Sequence, residues 1–228
     1  MSNVDRKRTL AKWRRYDKEV GNEIWWLYHR ANVYNEVRQI VKRNASIDKP
    51  NLLWDWMCTS HAAAMAMTVR RLMDRDAKCK SLATLIYSVC DYPALIERSA
   101  FAIRPASSGG LKQCLEEEQE AHAAFTRYAL SKGEHLDPRR LERALSRTRK
   151  RCLPVIRVAD RALAHHQCVP SPMEFEDLDI AMESIGALFH DIHLLLTRHS
   201  RKVGPSLPED WKWVFDKPWH IKEGETNA

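Results

Sequence analysis

Residues 138–165 carry two separate stripes, and few folds accommodate both. Leu141, Leu145, Thr148, Cys152, Val155, Ile156, Ala159 and Leu163 recur at helical spacing, about 100° per residue. That spacing predicts a long helix with one buried face. Arg140, Arg143, Arg147 and Arg151 form a second, basic stripe on the same segment. Asp137 and Pro138 supply an N-cap and a first-turn proline. Pro154 is expected to kink or divide the helix. Onward projection adds Arg161 and His165 to the basic stripe, while His166 turns about 100° toward the apolar face.

The rest of the chain repeats the helical period. Ile24, Leu27, Ala31, Tyr34, Val37 and Val41 give one face over 23–43, which Pro50 ends. Over 51–74 the expected face is Leu53, Trp56, Met57, Ala63, Ala64 and Met67. "KSLATLIYSV" reads as a shorter helix and "PALIERSAFA" as a further one. "RPASSGG" is a loop by composition and leads into a helix over 111–131, acidic on its outer face. Ser171, Pro172 and Glu174 form a capping-box pattern before the last helix. Its core face is Leu178, Met182, Ile185, Leu188, Phe189, Ile192 and Leu196.

With 44% hydrophobic residues the chain can bury a sizeable core, and only 7 glycines argue against a sheet-rich fold. The expectation is an all-α, antiparallel helical bundle with extensions at both ends. Residues 1–19 read as a basic N-terminal extension, 20–200 as the bundle, and 201–228 as a Pro/Trp-rich C-terminal tail. No stretch approaches 18 uncharged apolar residues, so no membrane span is expected. The charged N-terminus lacks the apolar core of a signal peptide, which points to the cytoplasm. The six cysteines are scattered without a CxxC pair and read as small core hydrophobes.

The net charge of +7 is uneven. Residues 1–43 hold 11 Lys/Arg against 5 Asp/Glu, and 139–161 hold 9 against 2. Such clusters attract phosphate backbones or acidic proteins. Arg140, Arg143, Arg147 and Arg151 are the candidate nucleic-acid-binding residues. The alternative is a solvated basic face without a ligand.

Several familiar sites are absent: GxGxxG, GxxxxGK[ST], HExxH and GxSxG do not occur. His190 and His193 are three apart on the last helix, a spacing that can serve one metal, but no second helical pair accompanies them. "EEEQEAH" fails as Glu-x-x-His, because Gln119 stands three before His122. No metal and no cofactor is expected. The eight tryptophans could stack on bases but are more often core or interface anchors.

Arg161, His165 and His166 are the candidate catalytic residues, within "DRALAHHQ". A metal-independent ribonuclease needs a group that titrates near neutrality, as histidine does. It also needs a fixed cation at the phosphorane, as arginine supplies. One Arg–His pair is half a site by that logic, and two copies across a dimer make a whole one.

"TVRRLMDRDAKCKSLATLI", then a basic helix ending "DRALAHHQ", then "FEDLDIAMESIGALFHDIHLLL", resembles the HEPN superfamily. The resemblance is to its AbiU-like branch, associated with abortive infection and toxin–antitoxin systems, over roughly residues 20–200. The matching positions are Arg71, Leu72, Asp74, Ser81, Leu82, Arg161, Ala164, His165 and Asp177 to Leu196. The resemblance implies a helical homodimer of a defence or toxin–antitoxin system, RNA and a cognate antitoxin or defence protein as partners, and metal-independent RNA cleavage. The family's signature is Arg, four to six residues, then His. Arg161 and His166 have four residues between them, whereas the Ala-His match selects His165, with three. Both histidines stay open, and so does a non-catalytic binding module with a degenerate motif.

Overall fold

Helix α1 runs unbroken from Asn3 to Arg43, 41 residues and about 60 Å. The computed structural model describes residues 2–43, 52–102, 112–160, 174–201 and 212. The further helices are α2 (Leu52–Leu72), α3 (Leu82–Asp91), α4 (Lys112–Tyr128), α5 (Pro138–Val158) and α6 (Phe175–Thr197). Among the described residues there is no strand, only two isolated extended pairs, Glu97 with His135 and Ala129 with Leu136. "PALIERSAFA" forms two short 3₁₀ turns, Pro93–Leu95 and Arg98–Phe101, rather than an α-helix. The chain is an all-α helical bundle.

Helices α5 and α6 form its centre. The α5 stripe is buried as its spacing demands: Leu141, Leu145, Thr148, Cys152, Val155, Ile156 and Ala159 are all enclosed. Leu163 lies outside the described residues. Asp137 caps the helix, accepting from the Arg139 amide at 3.0 Å, which contributes about 1 kcal/mol. Pro154 sits inside α5 without ending it, and the winding widens to a π turn at Ala159 and Asp160.

The antiparallel pairing of α1 with α6 is legible in its contacts. Asp17 meets His193, Gly21 meets Phe189, Tyr28 meets Met182, and Tyr34 meets Phe175. Numbers rise on one helix as they fall on the other. Two glycines permit the close approach. A Cβ on Gly21 would stand 2.7 Å from the Phe189 ring, and one on Gly186 would overlap the Tyr28 hydroxyl oxygen. That hydroxyl donates to the Met182 carbonyl at 3.0 Å. The expected α1 face is otherwise as read, with Ala31 only partly buried.

Three expectations need correction. The face assigned to α2 is not buried: Leu53 is 52% exposed, Trp56 64% and Met67 41%. The helix is covered only over its second half, through Met65, Ala66, Val69 and Leu72. The capping residue of α6 is Glu174, which caps Asp177's backbone and is capped by it in turn, while Ser171 lies outside the described residues. Of the cysteines, Cys152 is fully buried, whereas Cys58, Cys79 and Cys90 are partly exposed. Burial pushes the Cys90 and Cys152 thiols up to about 12.

The basic segment 1–19 is the start of α1, and no break separates it from the bundle. Its Trp13 is fully buried, and the indole N–H donates to Ser88 Oγ at 2.9 Å. The tail beyond 201 lies outside the described residues except for Lys212, whose ammonium is 2.7 Å from Glu36. By length and composition α6 could cross a membrane, the one helix among the described residues that could. In the fold, 61% of that apolar window is buried against other helices, so the core accounts for its character.

Candidate nucleic-acid interface

The four arginines of the α5 stripe do not do the same work. Arg140 is half-buried; it lies 3.7 Å from Asp137 and donates to the Arg127 carbonyl at 3.4 Å. Arg143 is exposed and turns its Nε onto the Arg139 carbonyl at 3.0 Å. Arg147 and Arg151 are exposed and make no hydrogen bond or ion pair among the described residues. These two, with Lys150, rim a groove of about 520 Å³ between α5 and α6.

Beside Ala144, Ala187 and Leu188 the groove holds several polar residues, which the sequence reading missed. Asp191, which stands in sequence between His190 and His193, is buried. Both of its oxygens accept from the Arg127 guanidinium of α4, and Oδ2 also accepts from the Tyr128 hydroxyl at 2.7 Å. Burial and then the Asp191 charge push the Tyr128 phenol up from its ordinary value. The hydrogen bond to Asp191 raises Arg127. The carboxylate is thus offset within its own cluster. Thr148 and Ser184 line the same groove.

The other histidines of α6 serve structure. His193 Nδ1 is 2.8 Å from buried Asp17, and His190 is 3.8 Å from Glu120. The two go to different partners and form no metal pair. Among the described residues no group of three His, Cys, Asp or Glu side chains could hold a metal.

Arg161, His165 and His166 lie outside the described residues. The residue before them does not: Asp160 is ion-paired with Arg70 of α2, which raises the arginine. The inner end of "DRALAHHQ" is therefore tied to α2. Of the neighbouring matched positions, Arg71 pairs with Glu23 of α1 and Leu72 is in the core. Ser81 caps α3 and donates to the Asp74 carbonyl at 2.6 Å. These residues shape the α2–α3 corner.

Of the tryptophans described, Trp13 is in the core, while Trp26 and Trp56 are 51% and 64% exposed. Trp25 stacks on His29 with ring centres 4.8 Å apart. Trp54, His61 and Phe175 gather around Tyr34, the His61 ring at 4.0 Å. Trp211, Trp213 and Trp219 lie outside the described residues. Comparison of the chain with protein-family models, with curated proteins and with solved structures finds no match.

Proposed function

We propose that the protein binds RNA on the Arg147–Arg151 side of α5, as a HEPN-type helical homodimer of a defence or toxin–antitoxin system. The observation that carries the reading is the pair of exposed, unpaired guanidiniums beside a groove that holds Thr148, Ser184 and the neutralised Asp191. Arg6, Arg70, Arg71 and Arg127 each hold a carboxylate, whereas Arg8, Arg14, Arg15 and Arg157 are, like Arg147 and Arg151, exposed without an ion pair among the described residues. What sets the α5 pair apart is the groove beside it. Free guanidiniums on one helix suit backbone phosphates, which take them two hydrogen bonds at a time.

The same reading assigns cleavage to "DRALAHHQ". Arg161 stabilises the charge that grows on the phosphorane, and His165 or His166 moves the proton from the attacking 2′-hydroxyl toward the departing 5′-oxygen, so that the P–O5′ bond breaks and a 2′,3′-cyclic phosphate and a 5′-hydroxyl are left. The Arg70–Asp160 pair supports it by fixing the start of that segment. The second reading is a binding module that cuts nothing. It is favoured by the groove itself, where every cation described is suited to holding a phosphate.

Two measurements test this. RNA cleavage in EDTA is expected from the parent and lost in Arg161→Ala and in a His165/His166 double alanine. If all three proteins bind RNA and none cuts it, the binding module is the function. Arg147→Gln with Arg151→Gln is expected to flatten the salt dependence of binding by about 0.7 per lost contact. An unchanged slope would remove α5 from the interface.

A further inference from the structure

A helical serine or threonine that is not exposed to solvent can turn its hydroxyl back onto the preceding turn. Thr59, Thr68 and Thr197 do so, reaching the carbonyl four residues earlier at 2.8, 2.9 and 2.8 Å. Thr148 on α5 and Ser184 on α6 do not. Their exposures are 8% and 7%, yet neither makes a hydrogen bond among the described residues. Neither oxygen is sealed in the interior, and both residues line the groove between the helices. Two hydroxyls that open onto the groove and have no partner among the described residues can donate to an anion seated there.

The surroundings fit an anion in charge. Arg147, Lys150 and Arg151 stand at the rim with no carboxylate bound to them. The one acidic lining residue, Asp191, already accepts from Arg127 and Tyr128, so its charge is offset. A tetrahedral oxyanion on the floor can take hydroxyl donors from below and guanidinium donors from above. A polyanion lying only across the exposed arginines would need no such floor.

We propose that the α5–α6 groove is a phosphate pocket that seats one phosphate group, with Thr148 and Ser184 as donors and Arg147 and Arg151 as cations. This rests on the reading of α5 as a phosphate-binding face and adds an ordered subsite to it. The phosphate can come from an RNA backbone or from a free nucleotide, since both present the same oxygens.

The test compares the full-length parent with Thr148→Val/Ser184→Ala and with Arg147→Gln/Arg151→Gln, after thermal melts establish folding. Each is titrated with a single-stranded RNA dodecamer, with AMP and with inorganic phosphate. Loss of the hydroxyl donors is expected to weaken phosphate-ligand binding about tenfold while leaving the salt slope unchanged, because no cation is removed. RNA binding alone, weakened in this way, assigns the pocket to a backbone phosphate; AMP or phosphate binding, weakened likewise, assigns it to a free one. Parental affinity for all three probes in the hydroxyl variant, with weaker RNA binding in the arginine variant, overturns the pocket and leaves the RNA surface intact. No binding of any probe by the parent overturns both.

Discussion

Asp17 and His193 meet at 2.8 Å in the interior, 176 residues apart in sequence, and fasten α1 to α6. Both side chains are almost wholly enclosed, and the carboxylate's two oxygens lie 2.8 and 3.0 Å from the same ring nitrogen. Removing either partner strands the other in a poor solvent. Asp17→Ala is expected to cost about 3 kcal/mol, measured by urea unfolding, because a buried group loses its only strong partner. A loss under 0.5 kcal/mol would mean that water takes over the vacated bond (roughly the noise of surface changes).

The Gly186 contact makes a steric prediction. Gly186→Ala puts a methyl against the Tyr28 hydroxyl and pushes α1 away from α6. A destabilisation of about 1–3 kcal/mol is expected. Adding Tyr28→Phe should recover part of it, since the oxygen in the way is gone. Equal stability of the single and double variants would show that the seam yields by another route.

Trp13 tests whether the first 19 residues belong to the bundle. Trp13→Ala is expected to cost about 3–5 kcal/mol, as for other large aromatic truncations in a core. Ser88→Ala, which removes only the indole's acceptor, should cost about 1 kcal/mol. A chain lacking residues 1–19 with the parent's melting temperature would refute the assignment of this helix to the core.

His61 gives a pH signature. Burial, then the charge of Arg30, lowers its pKa from 6.5 to about 4. The folded form therefore resists a proton that the unfolded chain accepts. Stability from the neutral ring is complete above about 6.5 and drains away as pH falls toward 4, where the folded protein also takes the proton. Between those limits the urea midpoint of the parent should fall faster than that of His61→Phe. Parallel curves would mean that the ring titrates freely.

The apolar half of this fold was readable and the polar half was not. The α5 and α6 stripes recur on one face for twenty residues or more, and burial follows period. The first half of α2 defeats the same reasoning. Leu53 and Trp56 carry the signal of a covered face, but the first half of α2 meets α1 through Trp54, Cys58 and His61 around Tyr34 instead, and full burial begins only at Met65. The capping of α6 was misplaced because Ser171 and Glu174 match the pattern on paper, while Glu174 and Asp177 satisfy it in space.

The groove was harder still. Arg147 and Arg151 were found because they repeat along one helix. Arg127 and Asp191 were not, because they lie 64 residues apart on different helices. Such a pair leaves no periodic trace. Asp191 stands on α6 between His190 and His193, and an acidic residue beside an apolar stripe is the one trace the sequence carries of a buried ion pair.

The seam between α1 and α6 also sets a schedule for synthesis. Helix α1 leaves the ribosome first, with Trp13, Ile24 and Leu27 on its face. Its partner for Asp17 follows 176 residues later, about 10–35 s at ordinary elongation rates. Helices α2 and α3 can pack on α1 earlier, but through that interval the flank of α1 that faces α6 stays uncovered, and this seam closes only when α6 arrives. A chain built this way makes early use of whatever guards exposed hydrophobic surface in the cell.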